Sequence, residues 1–413
     1  MTSGQPPNYQ SLPNNLEVIG RVADFSGFDY PGKRPDESYI TNGEEVYALR
    51  GNGHQIFDEI NAYLEQQDLP ALKDRIPVLA YGGNASPGSL KEKFSRHDLT
   101  GYEVTEKEIQ TVPCIFGDLQ GVDVVWHGAP SLKGGYFAEL YKGKEAEGTT
   151  VQAVVQFLTT EQLAIMHTTE GITYEFADIG EVDFGNEVRM QSVLSYVGRG
   201  SSILLDDYGK PISVAGVKRS NSDLEVLDVK GALDYTLGNE KVTTAIKDFF
   251  TDNPEYAECH TNFASSPDRT GAYSNFARAI SPAKRRELQQ RVSSAMNESG
   301  IACAMRFPID IKNIYTTGGF SMLPRVGRPG QPLKNGDKPE DLAVGYVEYR
   351  ALSRLQRSPE EQARRYEKIQ AAHPEYSAEQ IYAKAEPIWY ALGRLAVAAA
   401  KYYKPELTTQ LEG

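Results

Sequence analysis

A tyrosine, two glycines and an asparagine close an apolar run, Ile76-Pro77-Val78-Leu79-Ala80-Tyr81-Gly82-Gly83-Asn84. The run has the length and composition of a buried strand, and the Gly-Gly-Asn triplet ends it in a turn. Glycine reaches positive φ at little cost and leaves the backbone bare, so its N–H groups can approach a ligand closely. A loop of this kind is suited to holding a carboxylate or an oxyanion. Two later segments add to it. Thr168-Thr169-Glu170-Gly171-Ile172-Thr173-Tyr174 brings a carboxylate and an aromatic, and Val193-Leu194-Ser195-Tyr196-Val197 brings a second aromatic. The histidines (His54, His97, His127, His167, His260, His373) have no ligand spacing with carboxylates or cysteines, so no metal site is expected. His167 stands three residues before Glu170, on the same face of a helix. It reads as a surface or partly buried histidine.

The elements that must position these groups follow from periodicity. Ile56, Phe57, Ile60 and Leu64 recur at helical spacing, which predicts a helix over residues 54–68. Strands are expected at 112–117, 122–126, 135–141 and, most clearly, 150–158. Thr159 with Gln162 three residues on forms a capping-box pattern, and Leu163, Ile165 and Met166 continue into a short helix. That helix should end near Glu170-Gly171, where glycine suits a left-handed cap. Strands resume at 174–179, 190–197 and 212–217. Residues 16–50 read as an irregular arm with a strand or two.

The second half changes character. Ser281-Pro282 and Ser358-Pro359 place serine at the N-cap and proline at the first helical position. Ser377 opens a long final helix running to about Tyr403. The Gly- and Pro-rich stretch 316–340 reads as a long loop, on which Arg325 and Arg328 are candidates to clamp a substrate carboxylate. The fold class expected is α+β: a disordered tail over 1–15, a β-rich domain over 16–235, and a mainly helical domain over 240–413.

Composition narrows the function. At 413 residues with 40% hydrophobic content, the chain is long enough for two or three domains. A net charge of −13 argues against nucleic acid and anionic membrane surfaces as partners. The basic stretches 284–291 and 354–365 interleave with glutamate and glutamine and read as solvated helix faces. No apolar run approaches a membrane span. Three cysteines, odd in number and far apart, point to a reducing compartment, and the default location is cytoplasmic.

Residues 76–200 resemble the gamma-glutamylcyclotransferase-like family. In that family an opening strand leads to a Tyr-Gly-Ser-Asn loop. A later strand runs into a short helix, a Glu-Gly pair and a tyrosine, and a further strand carries another tyrosine. Here these are Tyr81-Gly82-Gly83-Asn84, the run 151–158, Glu170-Gly171, Tyr174 and Tyr196. The departures are Gly83, where the family usually has serine, and Ile165-Met166-His167-Thr168-Thr169, where many members have a Leu-Asp pair. The helical half lies outside the resemblance.

The resemblance implies a mixed β-barrel and a metal-independent lyase without cofactor, acting on a small-molecule γ-glutamyl amide. The α-amine of the glutamyl group would attack its own γ-carbonyl, giving 5-oxoproline and a free amine. Such a reaction needs the substrate folded into a near-attack shape, and one proton taken from the α-ammonium and returned to the leaving amine. A carboxylate whose proton affinity burial has raised can do both. Glu170 would be that catalytic group. Tyr81, Gly82, Gly83 and Asn84 would line the pocket with backbone donors for the oxyanion, and Tyr174 and Tyr196 would close its walls. Two alternatives use the same pocket: a ligand-binding or scaffold protein without turnover, and an amide hydrolase or acyl transferase.

Overall fold

The computed structural model describes residues 16–25, 29–95, 105–131, 134–170, 174–190, 193–198, 202–304 and 313–316. The expected tail over 1–15, residues 317–340 of the expected loop over 316–340 with Arg325 and Arg328, and the helices beginning at Ser358 and Ser377 all lie outside the described residues, as does Gly171.

The protein is a mixed α+β structure built on one large sheet. Its main path uses nine strands: β1 (Glu17–Arg21), β2 (Tyr39–Thr41), β3 (Glu45–Ala48), β4 (Ile76–Ala80), β5 (Val112–Gln120), β6 (Thr150–Leu158), β7 (Tyr174–Asp178), β8 (Leu194–Gly198) and β9 (Asn313–Thr316). Their spatial order is β1-β3-β2-β5-β6-β4-β8-β7-β9. The pairs are antiparallel except β4 with β8, whose parallel register sets Leu79 beside Ser195. The Ser195 hydroxyl donates to the Leu79 carbonyl at 2.9 Å, so the strand that carries Tyr196 is locked to the strand that leads into Tyr81.

A closed barrel is not what these strands form. Among the described residues the path runs from β1 to β9 and those two do not pair. Barrel closure requires a sheet without edges, and here β1 and β9 end the path of a sheet that is covered on both faces. Leu79, Ile115, Val155 and Phe157 join one hydrophobic cluster with Ile56, Ile60 and Leu64 of α1 (His54–Gln66). Their sequence neighbours Val78, Ala80, Cys114, Val154 and Leu158 join a second cluster. That cluster includes Leu90 and Phe94 of α2 (Pro87–Ser95), Ile109 of α3 (Glu106–Gln110), and Leu163 and Met166 of α4 (Thr160–Glu170). Side chains alternate across a strand, so β4, buried at every position, serves both layers.

The later helices are α5 (Val229–Gly238), α6 (Glu240–Asp252), α7 (Ala257–Ser265), α8 (Arg269–Ala279) and α9 (Pro282–Ser299). Their starts follow capping chemistry: Asp228, Asn239, Asp268 and Ser281 each accept a hydrogen bond from a first-turn amide. Leu233, Ile246, Phe276 and Val292 from this layer share a hydrophobic cluster with Trp126 and Tyr136. Among the described residues no helix is long and apolar enough to cross a membrane.

Candidate functional site

The Tyr81–Asn84 loop leaves β4 and turns at once into a single 3-10 turn, Gly83–Ala85. Ser86 then caps α2, its hydroxyl accepting from the Ser89 amide at 3.2 Å. The glycines are not there for positive φ. Gly82 has φ −105° and ψ −144°, and Gly83 is not in the left-handed region either. They are there for close approach. A Cβ on Gly82 would lie 2.1 Å from the Tyr30 hydroxyl oxygen, and one on Gly83 would lie 3.2 Å from the Tyr30 ring. At Gly82 and Gly83 the chain presses a tyrosine from its N-terminal arm against bare backbone.

Arg34, on the same arm, fixes the loop from the other side. Its Nη2 donates to the carbonyls of Tyr81 at 2.8 Å and Gly82 at 3.0 Å. Tyr30 is held by the Ala138 amide, which donates to its hydroxyl at 2.9 Å. Burial pushes the Tyr30 phenol up to about 12, and the amides of Ala138 and Gly83 directed at its oxygen act in the opposite sense. The Gly82 amide has no partner among the described residues.

Glu170 is the last residue of α4. The capping box that starts this helix is reciprocal: the Gln162 side chain accepts from the Thr159 amide at 2.8 Å, and the Thr159 hydroxyl accepts from the Gln162 amide at 3.2 Å. Arg75, fully buried, donates to Gln162 and to the carbonyls of Thr111 and Phe157. The start of α4 is thus anchored to β6 in the core, and its end delivers Glu170 to the loop. Asn84 Nδ2 donates to Glu170 Oε1 at 2.9 Å, and Lys93 Nζ donates to the same oxygen at 2.5 Å. Lys93 also donates to the Thr169 hydroxyl. The Lys93 and Glu170 side chains are only 18% and 12% exposed, so solvent screens this pair weakly. Glu170 Oε2 has no hydrogen-bond partner among the described residues. Asn84 is itself held by Gln156 of β6, whose amide donates to the Asn84 carbonyl at 2.5 Å.

The aromatic walls meet the same place. The Tyr81 hydroxyl donates to the Tyr196 carbonyl at 2.7 Å. Tyr174 packs edge-on to Phe137 with ring centroids 6.2 Å apart, and Tyr196 packs on Phe176 at 5.1 Å. Burial holds the phenols of Tyr81, Tyr174 and Tyr196 well above the ordinary tyrosine range, so each stays a hydroxyl. Glu139, a fully buried carboxylate on the strand Ala138–Tyr141, adds to that effect at Tyr81 and Tyr174 and accepts from the Gly198 amide at 3.1 Å.

These groups line one cleft of about 820 Å³. Tyr81, Gly82, Gly83, Asn84, Glu170, Tyr174 and Tyr196 all border it, and so do Tyr30, Lys93, Phe137, Arg278 and Arg285. Its size lies within the range of small-molecule sites. Among the described residues no group of three or more His, Cys, Asp or Glu side chains is placed to hold a metal ion. Chemically, the cleft offers a carboxylate with one oxygen tethered and the other free, hydroxyl-bearing walls and a bare loop amide.

Sequence reasoning did not reach Lys93, Asn84's support from Gln156, or the arm residues Tyr30 and Arg34. Two of these had a signal. Ser86-Pro87 carries the same N-cap signature as Ser281-Pro282, and so announces α2 and the lysine two turns in. Gln156 is a polar residue inside the most apolar strand, buried to 1% exposure, and a buried amide requires a partner. Tyr30 and Arg34 had none, because nothing local ties them to a loop about 50 residues away. No protein-family model, curated protein or solved structure matches this chain.

Proposed function

We propose that this protein is a gamma-glutamylcyclotransferase-like lyase that cleaves a γ-glutamyl amide and releases 5-oxoproline and a free amine. The observation that carries the reading is the Glu170 carboxylate, fixed through Oε1 by Asn84 and Lys93 with Oε2 free, in the same cleft as the Tyr81–Asn84 loop. The order of elements supports the fold assignment: β4 and its loop, β6 running into α4 with a terminal glutamate, then Tyr174 on β7 and Tyr196 on β8.

In this mechanism Oε2 takes a proton from the α-ammonium. The freed amine's lone pair attacks the γ-carbonyl carbon, a C–N bond forms, and the carbonyl electrons move onto oxygen. The Gly82 amide is the loop donor available to that oxyanion. Collapse of the adduct breaks the bond to the leaving nitrogen, which receives the proton back from Glu170, and the ring nitrogen then gives up its second proton through the same carboxylate, so that the lactam nitrogen is left neutral and the amine departs as its ammonium. Atoms and charge balance without a metal or redox partner. Closing the five-membered ring inside a shaped cleft brings nucleophile and carbonyl into near-attack contact, which can supply several kcal/mol. Lys93 keeps the carboxylate aimed through both half-reactions.

The test is a panel of γ-glutamyl amides incubated with the full chain and read by mass spectrometry. The lyase reading requires 5-oxoproline as the product. Free glutamate would instead mean hydrolysis, and saturable binding without product would mean a binding protein.

A further inference from the structure

The N-terminal arm brings a phenol to the loop amide. Tyr30 lies between β1 and β2 and borders the cleft. Its hydroxyl oxygen would be 2.1 Å from a Cβ on Gly82, so it rests directly against the Gly82 backbone. A phenol oxygen can accept hydrogen bonds and has one proton to give. This one accepts the Ala138 amide at 2.9 Å, and its proton has no acceptor among the described residues.

The hydroxyl is held in place by more than that bond. The Tyr30 ring lies against Trp126 with centroids 5.6 Å apart. Trp126 is fully buried, its indole N–H donates to the Leu227 carbonyl at 3.0 Å, and Tyr136 packs edge-on to it at 5.8 Å. A ring wedged in this way cannot swing its oxygen freely. Burial pushes the phenol up to about 12 against the pull of the nearby amides and of Arg34, with Glu139 adding to the rise, so the proton stays on the oxygen.

The same arm aims the Gly82 amide. Arg34 Nη2 draws the carbonyls of Tyr81 and Gly82 to itself. Arg34 borders a separate cavity of about 270 Å³, not the cleft. In a trans peptide the N–H points away from its carbonyl. The Gly82 N–H shares a peptide with the Tyr81 carbonyl, so it points away from Arg34, and Gly82 itself borders the cleft. Two donors without partners among the described residues, one N–H and one O–H, therefore stand side by side on the loop that Asn84 links to Glu170. Oxyanion holes are built from donors of this kind, fixed before the reaction and aimed where negative charge develops.

We infer that Tyr30 is the second oxyanion donor: its hydroxyl and the Gly82 amide together bind the oxygen of the γ-carbonyl as negative charge builds on it. This rests on the lyase reading and gives the arm, which lies outside residues 76–200, a direct part in the chemistry. The phenol lends a hydrogen bond and keeps its proton, so the proton transfers remain with Glu170.

The test measures 5-oxoproline formation by the full chain and by Tyr30→Phe on the best substrate of the γ-glutamyl amide panel. kcat and KM are determined separately, and the folded fraction is read by circular dichroism. A donor used mainly in the transition state is lost from kcat, so Tyr30→Phe should lower kcat by about 10²–10³ with little change in KM. An unchanged kcat overturns the inference and leaves the lyase reading standing. Absence of 5-oxoproline from the wild type overturns the lyase reading, and the donor with it. Tyr30→Phe also leaves the Ala138 amide without its acceptor, so a second form keeps the oxygen: 3,5-difluorotyrosine at position 30, whose phenol is more acidic. Once ionised, that phenol has no proton to donate, and the alkaline fall in kcat should begin at lower pH than in the wild type. Superimposable pH profiles overturn the inference.

Discussion

Gly82→Ala is the substitution for which the structure makes the sharpest demand. The new Cβ would lie 2.1 Å from the Tyr30 hydroxyl oxygen and 3.2 Å from Cζ. A carbon–oxygen contact needs roughly 3.2 Å or more, so the hydroxyl must retreat by about 1 Å in a close-packed interior. Tyr30 has little freedom to do so. Its ring lies against Trp126 with centroids 5.6 Å apart, and its hydroxyl accepts the Ala138 amide at 2.9 Å. Overpacking costs about 1–3 kcal/mol, and an orphaned buried amide costs about 1–3 kcal/mol more. The expected loss is therefore about 2–6 kcal/mol, measured as a shift of the urea midpoint at constant m-value. Tyr30→Phe removes the clashing oxygen and leaves the 3.2 Å contact to a ring carbon. Adding Gly82→Ala to Tyr30→Phe should then cost far less than adding it to the wild type, a coupling of about 1–3 kcal/mol. Gly82→Ala within about 0.5 kcal/mol of the wild type, or strict additivity in the double variant, would refute the argument that these glycines exist to admit Tyr30.

Three further outcomes follow from the geometry. His127 is half-buried, stacked on Phe137 with ring centroids 4.0 Å apart, and its Nδ1 accepts the Ala129 amide; desolvation lowers its pKa from 6.5 to about 4. Between those values the unfolded chain binds a proton that the folded chain does not, so stability falls as pH drops from 6.5 towards 4. The drop is at most about 3 kcal/mol, and His127→Asn should flatten that part of the urea-stability profile. Thr159→Ala removes one arm of the capping box and should cost about 1 kcal/mol in the same assay, with a slower reaction only as far as Glu170 loses its place. Lys93→Met leaves Glu170 tethered by Asn84 and, at 3.5 Å, the Thr169 hydroxyl, and steady-state assays should show kcat falling by about tenfold or more while the fold, read by circular dichroism, persists.

How much of this could be read from the chain depends on the range of the interactions. Local chemistry was legible. The Thr159–Gln162 capping box, the Ser281 N-cap and the strand Thr150–Leu158 are written in residues that touch their sequence neighbours. The seven residues named for the cleft do border one cavity: six lie at or just beyond the end of an element whose type was evident, and Tyr196 lies in the middle of β8. The sheet's closure was not legible. Strands packed on both faces read as continuous apolar runs, and such runs fit an open two-faced layer as well as a barrel wall. Nor does Gly82-Gly83 announce its purpose. The pair looks like a turn needing positive φ, and only the arrival of Tyr30 from the N-terminal arm shows that the need is for space. Arg75 illustrates the same limit: a charged residue before a strand predicts exposure, yet it is fully buried and bonded to Gln162 and two backbone carbonyls in distant segments.

The central claim is that Glu170 moves the proton. Glu170→Gln keeps the side-chain shape and leaves an amide oxygen that can still face Asn84 and Lys93, but it cannot take up the substrate's proton. The decisive measurement is 5-oxoproline formation by wild type and Glu170→Gln side by side on the best substrate of the panel, with thermal melting to show that both are folded. The account predicts rapid product from the wild type and a kcat lower by about 10²–10⁴ in the variant. Equal turnover by two folded proteins would contradict it.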